Sequence, residues 1–402
     1  MQVTLIGLGG GTMDTVTAEA REALERSALV LGAERLLKSL PAIAGQERIA
    51  AVRPDDLLAH LEGKSAERAC VVFSGDTGFR SGAAPLLERL RAAGIESRVL
   101  PGISSVQLLA ARLREPWQDW ALFTAHGVSC DPVTAVMGGR PAFFLTGGES
   151  TPASLCRALA DAGLGALRVC IGEELAGPEE RVRRMTAEEA AAQTFAPLSV
   201  LLADPAPRPC VRTGGIADAA FVRGHVPMTK QEIRAAALAK LAVTPADVVW
   251  DVGAGTGSVS VELALAARQG RAYAVEYRDE ACALIEQNRA RFGAWNLTLV
   301  RGRAPGALAE LPAPDAIFIG GSDGELAGIV DAALQKNPRA RLCISAIALE
   351  TLSSALDVLS SHGLDAEVTQ IAVSRAKASD GLHLLLANNP VFLISARREA
   401  EA

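Results

Sequence analysis

The chain has 402 residues, too many for one typical hydrophobic core, which points to two or three domains. Hydrophobic residues make up 49% and charged residues 21%, the composition of an ordinary globular protein. The net charge of −6 excludes a global attraction to nucleic acid or to an anionic membrane, so an anionic substrate needs a local basic cluster.

The N-terminus, Met1-Gln2-Val3-Thr4-Leu5-Ile6-Gly7, has no basic leader and reads as a first strand rather than a signal peptide. No apolar stretch reaches spanning length, and the chain is expected to be cytoplasmic. Gly7-Leu8-Gly9-Gly10-Gly11 follows the first strand. A later apolar run, Val71-Val72-Phe73, passes into Ser74-Gly75-Asp76-Thr77-Gly78-Phe79. Leu100-Pro101-Gly102-Ile103-Ser104-Ser105 then opens a helix expected over 106–114. Each places small residues where a strand hands over to a loop, so that main-chain groups can reach a ligand. His126 near Cys130 reads as incidental, because no third group orients the pair. The seven cysteines are scattered and never spaced C-x-x-C, which indicates neither a disulfide framework nor a zinc site, and no metal is expected. Residues 186–193 form an Ala/Glu-rich helix.

Asp204-Pro205-Ala206-Pro207-Arg208-Pro209 carries three prolines in six residues and is read as a linker. It separates domains expected at 1–206 and 214–402. Both alternate β-branched runs with helical patterns, the mark of parallel α/β sheets. In the second, Thr229 and Glu232 have the spacing of a capping box opening a helix with Ile233, Ala236, Ala237 and Leu241 inward. An apolar strand over 246–251 ends in Asp251, and Gly253-Ala254-Gly255-Thr256-Gly257 follows, then the helical spacing Val259, Leu263, Leu265, Ala266. A dinucleotide fingerprint requires glycine where Ser258 stands, which disfavours a nicotinamide oxidoreductase. The next strand, 271–276, ends in Glu276, a carboxylate able to accept both hydroxyls of a ribose. Further on come Arg301-Gly302-Arg303-Ala304-Pro305 and a strand closing on Phe318-Ile319-Gly320-Gly321. The latter lacks the Asn/Asp-Pro-Pro-aromatic run of enzymes that methylate amine nucleophiles.

Acid, G-x-G-x-G and second-strand acid together resemble the class I S-adenosylmethionine methyltransferases. The set Met228-Thr229-Lys230-x-Glu232-x-Arg234, Trp250-Asp251-Val252-Gly253-Ala254-Gly255-Thr256-Gly257 and Phe318-Ile319-Gly320-Gly321 narrows this. It resembles the C-terminal half of the decarboxylating precorrin-6Y C5,15-methyltransferase family of cobalamin biosynthesis, over most of 214–402. The first half looks like a tetrapyrrole methylase through Ser74-Gly75-Asp76 and Pro101-Gly102-Ile103-Ser104-Ser105. It departs from that pattern twice: Gly9-Gly10-Gly11-Thr12 stands for Gly-Pro-Gly-Asp, and Thr77 stands for proline.

The resemblance implies an α/β protein in which a tetrapyrrole methylase (class III methyltransferase) fold precedes a Rossmann-like class I methyltransferase fold. It implies two S-adenosyl-L-methionine sites per chain. The first would use Ser74, Gly75, Asp76, Phe79, Ser104, Ser105 and Leu145. The second would use Thr229, Gly253, Ala254, Gly255, Thr256, Gly257, Glu276 and Ala304. The first domain would methylate carbon 5 of a tetrapyrrole precursor. The second would methylate carbon 15 and remove the carbon-12 acetate carboxyl, giving precorrin-8. Lys230, Arg234 and Arg375 become candidates for gripping substrate carboxylates, to which arginine forks are suited. Lys377 would join Arg375 in a loop between two late apolar runs. His383, in Leu382-His383-Leu384-Leu385-Leu386, reads as strand core; His225 is the remaining titratable candidate. The expected partner is a small-molecule tetrapyrrole, with no nucleic acid and no membrane, in a homo-oligomer. Two alternatives stay open: a class I enzyme acting on RNA, and a first domain that is a non-catalytic binding scaffold. No motif identifies the proton donor for decarboxylation.

Overall fold

A computed structural model describes residues 1–207, 214–379 and 382–398. The chain divides into two compact units, 1–161 with 165–205, and 162–164 with 206–402. Pro205 closes the first unit inside the proline-rich stretch; Arg208 and Pro209 of that stretch lie outside the described residues.

The first unit holds two five-stranded sheets. One is built from β1 (Gln2–Gly7), β2 (Leu29–Gly32), β3 (Glu47–Ala50), β4 (Arg68–Phe73) and β5 (Ser97–Leu100). All its pairs are parallel, in the order β3-β2-β4-β1-β5. Interior strand β1 is buried from Val3 to Gly7 because both faces are covered. Val3 and Leu5 pack into one core cluster and Ile6 into another, as a parallel sheet flanked by helices requires. The other sheet comprises β6 (Ala121–Thr124), β7 (Ala142–Leu145), β8 (Arg168–Glu173), β9 (Arg181–Thr186) and β10 (Ser199–Ala203). Its order is β6-β7-β10-β8-β9, with only β6 and β7 parallel.

The second unit has one seven-stranded sheet. Its strands are β11 (Val248–Val252), β12 (Arg271–Glu276), β13 (Leu297–Arg301), β14 (Ala316–Ile319), β15 (Arg341–Ala346), β16 (Ala366–Ile371) and, after β17 (Ser374–Ser379) and β18 (Leu382–Ala387), β19 (Val391–Ala396). The order is β13-β12-β11-β14-β15-β19-β16, parallel up to β15, with β19 antiparallel to both neighbours. Strand order reverses between β11 and β14. In open α/β sheets the ligand crevice lies at such a switch point, beyond the carboxyl ends of the strands. The Gly253–Gly257 loop leaves β11 there.

Two readings of the late sequence need correction. Arg375 and Lys377 lie in β17, not in a loop, and His383 lies in β18, whose six residues are all exposed. β17 and β18 pair only with each other among the described strands, so no sheet face buries the leucines of β18. The helix after the Met228-Thr229 motif also differs from expectation. It runs Gln231–Leu241 with Lys230 at its N-cap and no side-chain cap. The capping box does not form: the helix starts one residue later than the box requires, and the Glu232 carboxylate is bonded by Arg375. Its inward face is as read, with Ile233, Ala237 and Leu241 buried.

Candidate functional site

In the first unit three loops meet at the ends of β1, β4 and β5. Gly7 permits the meeting: a Cβ there would lie 2.6 Å from the Gly75 carbonyl and 2.7 Å from the Gly102 nitrogen. Gly9 and Gly75 exchange two backbone hydrogen bonds, at 3.1 and 2.8 Å. The Asp76 carboxylate accepts from the Gly78 N–H at 2.8 Å and the Gly102 N–H at 3.1 Å, tying the second loop to the third. Ser74, Gly75 and Asp76 are thereby brought beside the stretch that leads into Ser104 and Ser105. Ser104 is buried and caps the helix Ser105–Leu113 in a capping box with Gln107. Phe79 and Leu145 both pack against a core cluster of the second sheet, and the Phe79 ring lies 6.4 Å from that of Phe143.

The two departures from the tetrapyrrole methylase motif each make a bond that the usual residue cannot. The Thr12 hydroxyl donates to the Ala176 carbonyl at 3.3 Å, where an aspartate would only accept. The Thr77 hydroxyl donates to the Leu100 carbonyl at 3.2 Å, where a proline has no donor.

In the second unit Gly253, Gly255 and Gly257 all have positive φ, at +71°, +56° and +73°, a region that side chains rarely enter. A Cβ on Gly253 would meet the Gly321 backbone at 2.5–2.9 Å, so the glycine pair ending β14 and the loop ending β11 need each other's bareness. Glu276 ends β12 with its carboxylate buried. It accepts from the backbone N–H groups of Gly255 (2.9 Å), Tyr277 (2.9 Å) and Arg278 (3.0 Å), and from the Arg278 guanidinium at 3.2 Å. Burial alone would raise this carboxyl, but Arg278 and those N–H groups outweigh it and hold the group below its usual range.

Asp251, at the foot of the loop, behaves oppositely. Burial pushes its carboxyl up to about 7, with Ser260 opposing and the Glu276 charge adding to the rise. Ser260 bonds one oxygen, while Oδ1 has no partner. Nor does the buried Thr256 hydroxyl. Bare main chain at three loop positions, a buried ionised Glu276 and two unsatisfied polar atoms fit a polar, nucleoside-sized ligand. Ala304 lies partly buried in the loop after β13, and Thr229 and Lys230 precede the helix Gln231–Leu241.

Arg234 does not reach any crevice. It is fully buried, with Nε on Glu262 at 2.7 Å, Nη1 on Asp218 at 2.8 Å, and further bonds to the carbonyls of Thr229 and Ile216. Its expected role as a grip on substrate carboxylates is corrected: protein carboxylates already occupy it. Arg375 is part-exposed but also committed, with Nη1 on Asp218 at 2.9 Å and Nη2 on Glu232 at 2.6 Å. It too is removed from the candidate grip. Burial would raise Asp218, but the two arginines together draw it below the ordinary carboxyl range, and Arg375 does the same for Glu232. Asp218 and Glu262 carry no motif, and only their apposition in space shows what they do. Arg278, two residues after Glu276, was within reach of a sequence reading and was missed.

No helix among the described residues is long and apolar enough to cross a membrane. The family model described as tetrapyrrole (corrin/porphyrin) methylases matches residues 2–191, and the one described as precorrin methyltransferase domain matches residues 219–398. The chain is 32% identical over 389 residues to a Sinorhizobium protein named precorrin-6Y C(5,15)-methyltransferase [decarboxylating], covering 94% of this chain and 92% of that one. It is 39% identical over 185 residues to the cobalt-precorrin-6B C(15)-methyltransferase (decarboxylating) of Salmonella typhimurium, covering 45% of this chain and 95% of that one. A solved precorrin-6y C5,15-methyltransferase from Geobacter metallireducens is 36% identical, with a TM-score of 0.45, covering 47% of this chain and all of that one.

Proposed function

The chain belongs to the family of decarboxylating precorrin-6Y C5,15-methyltransferases, and from that premise we propose a division of labour between its two units. The activity is S-adenosylmethionine-dependent methylation of a precorrin at carbons 5 and 15 with loss of the carbon-12 acetate carboxyl, a step of cobalamin biosynthesis. In our reading the first unit methylates carbon 5. The second methylates carbon 15 and decarboxylates. The half-length relative named for C15 methyl transfer with decarboxylation supports one unit carrying both of those steps.

The cofactor, when bound, supplies a methyl group already activated on a sulfonium. The chain's own task is then mainly positioning. In the second unit Gly253, Ala254, Gly255, Thr256 and Gly257 offer main chain without side-chain obstruction, and Glu276, kept ionised, is the acceptor suited to paired hydroxyls. Thr229 and Ala304 complete that set. In the first unit Ser74, Gly75, Asp76, Phe79, Ser104, Ser105 and Leu145 form the counterpart, giving two cofactor sites per chain. Lys230 remains as the candidate contact for a substrate carboxylate, at the N-terminus of an eleven-residue helix whose free N–H groups favour an anion. A homo-oligomer is in keeping with the exposed Leu382, Leu384, Leu385 and Leu386 of β18, an apolar group that a monomer would leave in water.

The buried, ionised Glu276 beside the bare Gly253–Gly257 loop is the observation that carries this reading for the second unit. It is tested in the full chain by weighing the products made from the precorrin substrate. With Glu276→Ala, at S-adenosylmethionine concentrations too low to fill the weakened second site, the product should gain the carbon-5 methyl group alone. With Asp76→Ala, methylation at carbon 5 should fail. Methylation at carbon 15 undiminished in Glu276→Ala under those conditions would overturn the assignment of the second site.

A further inference from the structure

A segment at the start of the second unit crosses the glycine loop. The Pro227 carbonyl lies 3.3 Å and a Val226 methyl 3.7 Å from where a Gly255 Cβ would stand. This strap, residues 214–229, has little secondary structure beyond a single short turn, Asp218–Ala220, and is held by side chains of the helices beneath it. The Glu262 carboxylate takes the Gly215 and Ile216 N–H groups at 2.7 and 3.1 Å. Glu280 takes that of His225 at 2.9 Å. The fourth anchor, after Glu262, Glu280 and the buried Arg234, is different in kind, because it also holds the loop.

Asn288 sits on the helix Asp279–Phe292 and is fully buried. Its Oδ1 accepts from the Val222 N–H at 2.8 Å, and its Nδ2 donates to the Val222 carbonyl at 3.1 Å and to the Thr256 carbonyl at 2.9 Å. One amide therefore satisfies both main-chain groups of a strap residue and a carbonyl of the glycine loop. Gly257 makes this possible. A Cβ there would stand 3.2 Å from the Ile285 Cα, so only glycine lets the helix come close enough for Asn288, one turn further on, to reach Thr256. The fit is chemically exacting. A carboxylate would set a bare oxygen against two carbonyls, and an aliphatic side chain would take the partner from three main-chain groups, the buried Thr256 carbonyl among them.

We infer that Asn288 is a positioning residue for the cofactor of the second unit: it couples the glycine loop to the strap, so that the two sides of the crevice are set together. The inference rests on the reading of the Gly253–Gly257 loop as a cofactor site. It makes the strap part of the binding equilibrium, since ordering the loop on a ligand orders Val222 through the shared amide. Asn288 touches no reacting atom. Its loss should therefore appear in cofactor affinity and not in the chemical step.

Hydrogen–deuterium exchange of the full chain, with and without saturating S-adenosylhomocysteine, tests the coupling in the unaltered protein. Peptides covering 253–257 and 220–226 should both gain protection. Protection of the loop without the strap would overturn the inference and leave the cofactor reading intact; protection of neither would overturn both. In Asn288→Ser, the Kd and the KM for S-adenosylmethionine in carbon-15 methylation should rise on the order of tenfold with kcat kept at saturation. Protection should then reach the loop alone. A fall in kcat with KM unchanged would mark Asn288 as merely structural and sink the proposal.

Discussion

The two glycine loops solve one problem, exposing main chain at the ends of parallel strands, with different electrostatics. In the first unit three loops are laced by backbone bonds and by the Asp76 carboxylate on two N–H groups, and the hydroxyls of Thr12 and Thr77 finish the lacing. No ion pair takes part in those bonds. In the second unit the single loop stands over two buried acids held in opposite states: Glu276 ionised by its donors, and Asp251 driven towards neutrality by burial. Behind it lies the Asp218–Arg234–Glu262 cluster, and Arg375 extends that cluster to the surface. A loop held by main-chain bonds responds weakly to charge and pH. A loop held over buried charges responds strongly. The second unit is therefore the place where this contrast can be broken.

The largest effect is expected from Arg234→Ala. It leaves Asp218 and Glu262 buried without their shared cation, which costs about 3–5 kcal/mol. Urea unfolding followed by tryptophan fluorescence, in a chain carrying Trp117→Phe and Trp120→Phe so that Trp250 and Trp295 of the second unit remain, should show the loss. A change below 1 kcal/mol would mean that water reaches the cluster and that the contrast is overstated. Next comes the pH dependence carried by Asp251. Its folded value, about 7, lies above the ordinary 3.8, so the folded chain keeps a proton that the unfolded chain releases. That stabilisation is complete below about pH 4 and is lost as pH rises through about 7. Stability of Asp251→Asn relative to the unaltered chain should therefore grow between pH 5 and pH 8, by about 2–3 kcal/mol. A difference independent of pH would show an ordinary carboxyl.

Glu276→Ala should weaken cofactor binding at the second site by one to two orders of magnitude, as loss of a charged hydrogen bond of about 1.5–3 kcal/mol implies. It should leave the first site alone. Calorimetric titration of the full chain separates the two, and a uniform loss at both sites would erase the distinction between them. The smallest effect is expected in the first unit. Ser104→Ala removes a helix cap whose hydroxyl is engaged by Gln107, costing about 1 kcal/mol of stability in thermal unfolding. If cofactor affinity at the first site falls further than for Asp76→Ala, the hydroxyl contacts the ligand directly.

Arg234 shows best where a reading of the sequence stops. Its place in the Met228-Thr229-Lys230-x-Glu232-x-Arg234 motif was legible and pointed to an anion nearby. The anions proved to be Asp218 and Glu262, sixteen and twenty-eight residues away in opposite directions, so no local spacing could have named them. The expected capping box at Thr229 is absent because the helix takes Lys230 as its N-cap, and Glu232 is bonded instead by Arg375, 143 residues further on. The leucines of β18 misled differently. Their pattern is that of core strand, but core requires a second surface, and within the described chain none covers them.

The sequence by itself determined the α/β class, the position of both sets of strand-end loops and the acids that accompany them. These are short-range facts: glycine where φ must be positive, apolar runs where both faces of a strand are buried, a carboxylate where a strand ends. Only the tertiary structure decided which charges neutralise one another, which carboxyl keeps its proton, and that a single buried amide at Asn288 joins loop to strap. Those outcomes depend on burial and on distances between groups far apart in the chain, and a charge's worth changes several-fold with the dielectric around it.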